Sequence, residues 1–402
     1  MKKFKLAAVT TLLFSGLAAA PALAAEEKTE DFTTRTYNAI EIKSEVLASS
    51  QLFKYSSGLT FEYPDAVRGI YVTAHSAGGQ RFESLVNLVD TTDLNAMVID
   101  IKDDFGNVTF EFEEGTELAE LGIGQPYMSD PRAVLEVMEE EEIYPIARIT
   151  VFKDTILAEK RPDLSFVNEN GVWKNGREEA FVNPFMKEVW DYNVQIAIEA
   201  AKLGFKEIQF DYVRFAEGFE TRGDTLQYSM GEYADKGLDP VQARVDAVTD
   251  FVAYAREQLK PYDVEVSVDI FGYSATLPEA PGIGQNFSKI SKNVDVISSM
   301  IYPSHWTSYF GIAKPDLEPY KLVAEYAKAE NAKLAELEDP PVSRPWLQDF
   351  TASWLGAGNY LNYGKAEVEA QIKALNDNGI EEFILWSANN RYSPGVDYTP
   401  LE

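Results

Sequence analysis

Two aspartates stand where strand-like residues surround them. Asp211 lies in Gln209-Phe210-Asp211-Tyr212-Val213-Arg214, and Asp269 lies in Glu265-Val266-Ser267-Val268-Asp269-Ile270-Phe271. A carboxylate inside an apolar strand is costly unless it is paired or used. If the two segments are neighbouring parallel strands, the carboxyl groups can approach to roughly 5 Å, the separation at which one attacks an anomeric carbon and the other carries a proton. Asp211 is assigned as the ionised nucleophile, because Arg148, Arg214 and Lys102 are available to keep it charged. Asp269 is assigned as the acid/base, because Ile270, Phe271 and Tyr273 make its surroundings less polar.

Other residues fall into supporting positions. In Val98-Ile99-Asp100-Ile101-Lys102-Asp103-Asp104, simple alternation puts Asp100 and Lys102 on one strand face, as an ion pair beneath the site. Lys102 at a strand end also permits a Schiff-base lyase or aldolase, although neighbouring Asp100, Asp103 and Asp104 would raise its pKa, the wrong direction for an amine nucleophile. Tyr302, Ser304, His305 and Trp306 close one further strand, Gln348 and Asp349 another, and Trp386, Asn389 and Asn390 a third. Of these, Tyr302, His305, Gln348 and Trp386 are the candidates for contacting substrate, with Asp100, Lys102, Arg148 and Arg214. His75 is read as a structural donor.

These residues need a scaffold that brings strand ends together. Strand-like segments at 69–75, 96–103, 144–152, 207–215, 265–273, 294–302, 344–350 and 382–388 alternate with helical ones. The pairs Asp130-Pro131, Asn183-Pro184 and Asp239-Pro240 place an N-cap residue before a proline suited to the first helical turn, and Gly204 and Gly379 close two helices. Val368, Ile372 and Leu375 share a helix face. Eightfold strand-helix alternation specifies parallel pairing and predicts an α/β fold, a (β/α)8 TIM barrel with a short N-terminal extension, whose chemistry sits at the C-terminal strand ends. Three long loops follow strands on that face: 153–183 around Trp173, 216–239, and 351–364 with Trp354, Tyr360 and Tyr363, aromatics suited to stacking on sugar rings.

Composition narrows the chemistry. Lys2, Lys3 and Lys5, an apolar run from Leu6 to Ala20, and Ala22-Leu23-Ala24 spell a secretory signal peptide over 1–24. A polar extension at 25–64, the barrel at 65–395 and a tail at 396–402 follow, with no later run approaching the roughly 20 apolar residues of a membrane span. The expected form is exported, secreted or associated with the cell envelope. There is no cysteine, so disulfide and thiolate chemistry are excluded. The formal charge of −29 argues against nucleic acid and for a neutral or cationic substrate on a solvated acidic surface. With two histidines, and no phosphate loop or nucleotide fingerprint, neither a metal nor a cofactor is expected.

The runs Arg68-Gly69-Ile70-Tyr71-Val72-Thr73, Met97 to Gly106, Phe210-Asp211-Tyr212-Val213-Arg214-Phe215 and Val268-Asp269-Ile270-Phe271-Gly272 resemble a bacterial family of glycoside-hydrolase-like proteins, related at a distance to α-amylase-type barrels. The resemblance runs from about Arg68 to Tyr392. It implies a TIM barrel and a glycosidase activity, with Asp211 in the strand-four nucleophile position. Gln209 stands where α-amylase-type enzymes have an arginine, and Asp269 where they usually have a glutamate. The expected function is an exported glycoside hydrolase acting on a carbohydrate polymer or oligosaccharide by a two-carboxylate, retaining mechanism. Its rivals are a non-catalytic carbohydrate-binding barrel and the Lys102-dependent lyase.

Overall fold

The structure, a computed structural model, describes residues 54–399. The leader expected at 1–24 and most of the extension expected at 25–64 lie outside the described residues. Strands β1 (Arg68–Val72), β2 (Ala96–Lys102), β3 (Tyr144–Thr150), β4 (Glu207–Asp211), β5 (Glu265–Phe271) and β6 (Val296–Met300) form six staves of one parallel sheet. The seventh stave is broken into β7 (Val342–Ser343) and β8 (Trp346–Gln348), because Pro345 between them offers no N–H to the ladder. β9 (Phe383–Trp386) is the eighth. It pairs with β8 and β1, and β8 pairs with β6 through Trp346 and Met300, so the barrel closes.

The crossovers carry α1 (Arg81–Asp90), α2 (Pro131–Glu140), α3 (Lys187–Leu203), α4 (Pro240–Leu259), α5 (Phe287–Ser291), α6 (Pro319–Leu334) and α7 (Lys365–Asn376). After β9 the chain runs without a helix through the last described residue. Asp130 caps α2 through the Ala133 N–H, and Asp239 caps α4 through Val241 and Gln242, each with proline at the first position. Asn183 does not cap α3. Its side chain is drawn into the loop, accepting from the Phe185 N–H and donating to the Ser229 carbonyl, and the helix starts later, at Lys187.

Outward strand residues such as Ile99, Ile149, Phe210 and Ile270 pack beneath the helices in the main core. The barrel interior is divided. Val98, Ile146, Trp346, Ile384 and Tyr71 fill the side made by β1, β2, β3, β8 and β9, whereas buried Glu207, Gln209, Ser267, Asp269 and Ser298 line the side made by β4 to β6. At the lower, N-terminal mouth the Arg344 guanidinium is fully buried. It donates to Glu207 at 2.7 and 2.9 Å, to Glu382 at 2.7 Å and to the Tyr63 hydroxyl at 2.7 Å. The segment before β1 is tied there as well, by the Tyr55 N–H to Pro261 and by Arg132 to the Ser57 carbonyl.

Candidate functional site

β4 alternates as expected: Glu207, Gln209 and Asp211 face the axis, while Ile208 and Phe210 face the helices. Its ladder to β5 pairs Gln209 with Ser267 and Phe210 with Val268, which brings Asp211 level with Asp269 one position further on. Adjacent strands lie about 4.8 Å apart, so the two carboxyl groups meet at the upper end of the barrel. Both line a cleft of about 680 Å³ on that face.

Arg148, from β3, is the hub of the cleft floor. Its Nε and Nη2 donate to Asp211 Oδ2 at 3.0 and 2.6 Å, Nη1 donates to Asp100 at 2.7 Å, and Nη2 also reaches Asp104 at 2.8 Å. Charge-assisted bonds of this kind suit an ionised acceptor. Asp100 also accepts from the Tyr71 hydroxyl. Burial pushes the Asp100 carboxyl up to about 6, with Arg148 and Tyr71 opposing. For Asp104 the balance goes the other way: burial raises it, but Arg148 and the Lys153 ammonium 3.2 Å away prevail and hold it below the usual carboxylate range.

Asp269 is in the opposite condition. Its Oδ1 accepts from the Trp346 indole N–H at 2.7 Å, while Oδ2 is buried with no hydrogen-bond partner. Burial first, and then the Asp211 charge, push its carboxyl well above the ordinary value, against the pull of Trp346 and Arg148. Its environment thus favours the uncharged form, in contrast to Asp211, which accepts two hydrogen bonds from the Arg148 guanidinium.

Directly after Asp211, Tyr212 takes a left-handed conformation with φ of 53°. This is rare for an aromatic residue and is held here by the surrounding contacts. Its N–H reaches Asp211 Oδ1 at 2.6 Å, and its ring lies between Lys153 and Arg214, 4.5 and 4.8 Å from the centroid. Arg214 also covers Phe271 at 4.5 Å and bonds Glu217. Above these, Tyr302, Trp306, Tyr273, Tyr309 and Trp386 give the cleft aromatic walls, and His305 stands at the rim. Partial enclosure, and then Arg177, pull the His305 pKa down.

Of the residues named from sequence, Asp211, Asp269, Arg148, Arg214, Tyr302, His305 and Trp386 line this cleft. Asp100 lies just beneath, in contact with Arg148. Lys102 does not share its face. The β2–β3 register slips between them, pairing Asp100 with Arg148 but Lys102 with Ile149, so an extra residue turns Lys102 toward α3. There it is fully buried, 2.6 Å from Asp154 and bonded to Asn193 at 2.9 Å. Burial lowers its pKa despite Asp154, which reverses the expected direction, but it is not among the residues that line this cleft. Gln348 is also buried away from the cleft and bonds the Ser304 N–H and Asp316, bracing the loops that bear the rim.

Sequence reasoning passed over Asp104, Lys153, Tyr212 and Trp346 as site residues. The signal for Asp104 was present in its motif. Asp103 Oδ1 gathers the N–H groups of Phe105, Gly106 and Asn107. Gly106, at φ 102°, leaves no room for a Cβ against Asp154. A turn this tightly specified directs Asp104 into the cleft.

A family model described as “putative glycosyl hydrolase domain” matches residues 69–392. No curated protein matches the chain. Among solved structures, a hypothetical protein from Ruminiclostridium thermocellum ATCC 27405 is 32% identical over 50% of this chain and 96% of its own, with a TM-score of 0.43. The glycoside hydrolase domain of PgaB (BpsB) from Bordetella bronchiseptica is 16% identical over 80% and 94%, with a TM-score of 0.57. A β-galactosidase from the psychrophilic Marinomonas ef1 is 12% identical over 80% and 54%, with a TM-score of 0.50. The last two share the barrel fold. With its match spanning the whole barrel, the chain belongs to the glycosyl hydrolase domain family so described.

Proposed function

We propose that the protein is an exported glycoside hydrolase that cleaves a polysaccharide or oligosaccharide by a retaining, two-carboxylate mechanism. The observation that carries this reading is the buried, unpartnered Oδ2 of Asp269, on a carboxyl whose pKa is pushed up by burial and by the neighbouring Arg148-paired Asp211. A bound glycosidic oxygen offers the missing acceptor. Asp211 attacks the anomeric carbon as the leaving oxygen takes the Asp269 proton. The Asp269 carboxylate then deprotonates water, which displaces Asp211 and restores both groups. Level positions on adjacent strands favour the short carboxyl separation of retention over the wider gap of inversion. The basic, apolar and small-residue leader pattern at 1–24 supports export.

The test is release of reducing ends from a panel of envelope and plant polysaccharides, with Asp211→Asn and Asp269→Asn alongside. Loss of about 10²–10⁴-fold in each variant is expected, the range for removing a positioned acid or base. Binding without turnover, unaltered by either substitution, would replace this reading with a carbohydrate-binding barrel. Recovery of the intact leader on cell-associated cytoplasmic protein would remove the export claim alone.

A further inference from the structure

The aromatic lining of the cleft does not stop at its rim. Trp386, over the catalytic floor, is followed by Tyr302 at 6.4 Å, then by Phe350 at 5.9 Å from Tyr302, then by Trp354 at 5.9 Å from Phe350 and tilted only 22° from it. His305 bridges the last steps, 5.3 Å from Tyr302 and 6.3 Å from Trp354. Trp386 and Phe350 are half-buried, Tyr302 is buried between them, and Trp354, 64% accessible, is the most exposed large apolar side chain among the described residues. One face of the Trp354 ring rests on Phe350, and much of the indole remains open to solvent.

The loop that holds this ring is not loosely attached. Ser353–Leu355 forms a helical turn, and Asn359 donates to the Leu355 carbonyl at 2.9 Å. Lys314 grips the Gly358 carbonyl at 2.8 Å, and the Tyr363 N–H bonds Thr351. Buried Asp316 accepts the Leu361 N–H at 3.1 Å and is itself held by Gln348 at 3.0 Å. The exposed indole is thus displayed in a fixed orientation, which reduces the ordering cost of binding a partner.

We propose that Phe350 and Trp354 form a distal subsite that stacks on a sugar ring of the same chain whose scissile bond lies over Asp211 and Asp269. This rests on the glycosidase reading above and assigns it a substrate class: chains long enough to reach from the cleft floor past His305, rather than disaccharides. The unbroken run of rings from floor to rim favours carbohydrate over a protein partner, since a flat ring face matches an apolar sugar face and leaves the hydroxyls to water. Binding energy gathered at this distance can be used at the reacting bond.

The experiment uses the protein carrying Asp269→Asn, a substitution chosen to suppress turnover during binding, and reducing-end-labelled laminarin, chitin and chitosan oligosaccharides of two to eight units. Affinity should rise with chain length for at least one series. Trp354→Ala should weaken binding of the octasaccharide about tenfold more than binding of the disaccharide, and Trp354→Phe should recover most of the difference. An equal effect at both lengths, no effect, or no oligosaccharide binding by any series would overturn the subsite. So would loss of self-association or of protein binding as the sole consequence of Trp354→Ala. Hydrolysis by the unsubstituted enzyme is scored separately: length dependence without turnover removes the catalytic reading and leaves the subsite, whereas turnover without length dependence does the reverse.

Discussion

At the scale of single residues, the site divides four carboxyl groups by their surroundings. Asp211, Asp100 and Asp104 share the guanidinium of Arg148, Asp100 also accepting from the Tyr71 hydroxyl and Asp104 being the most exposed of the three, and Asp269 has only an indole donor. Activity should therefore fall on the alkaline side as pH climbs through the raised Asp269 pKa. The Trp346 hydrogen bond favours the charged form, so Trp346→Phe should move that alkaline limb upward, as read in a pH profile of kcat/KM. Stability carries the same signature. A carboxyl whose pKa is raised on folding contributes fully below its unfolded value, about 3.9, and loses that contribution as pH rises through the folded value. Asp269→Asn should accordingly be more stable relative to the unsubstituted protein at pH 7 than at pH 4, as judged by thermal unfolding midpoints. The positions of Asp211 and Asp269 were legible because strand alternation is strict through β4 and β5. The role of Trp346 was not, because nothing local to β8 signals a hydrogen bond to a residue 77 positions earlier.

At the scale of elements, β2 shows where alternation stops being a guide. One extra residue between Asp100 and Lys102 sends the first into the barrel and the second under α3, and periodicity in a single strand cannot reveal a slip that exists only against its neighbour. The consequence is testable. Lys102→Met leaves Asp154 buried beside Tyr192 without its cation, a loss of about 3–5 kcal/mol in denaturant unfolding, whereas Lys102→Met with Asp154→Leu should recover most of it. Borohydride with a carbonyl substrate should trap nothing on Lys102. Tyr212 is a second element-level feature: its left-handed backbone turns the chain off β4 and sets the Asp211 carboxyl. Tyr212→Gly relieves that conformation but removes the ring between Lys153 and Arg214. It should lower kcat more than it raises KM, by about tenfold or more for a misplaced reacting group.

At the scale of the molecule, the barrel has two polar ends with different work. The upper end holds Asp211 and Asp269, and the lower end holds Arg344 between Glu207 and Glu382 with the Tyr63 hydroxyl on its remaining edge. Tyr63→Phe should cost about 1 kcal/mol, the scale of one hydrogen bond to a charged group at a half-open site, while activity per folded molecule holds. Arg344→Met, which strands two buried carboxylates, should cost several times more. The eightfold alternation of strands and helices followed from the sequence, but the interruption at Pro345 did not, since its neighbours read as one continuous strand. Between β6 and the broken stave the ladder has two pairs on one side of the break and one on the other, against six between β2 and β3. The wall is interrupted at the stave that carries Trp346. Warming that parts this seam frees the acid from its indole before the remaining ladders give way, so the enzyme should lose its characteristic pH optimum at a temperature where its circular dichroism is still that of an intact barrel.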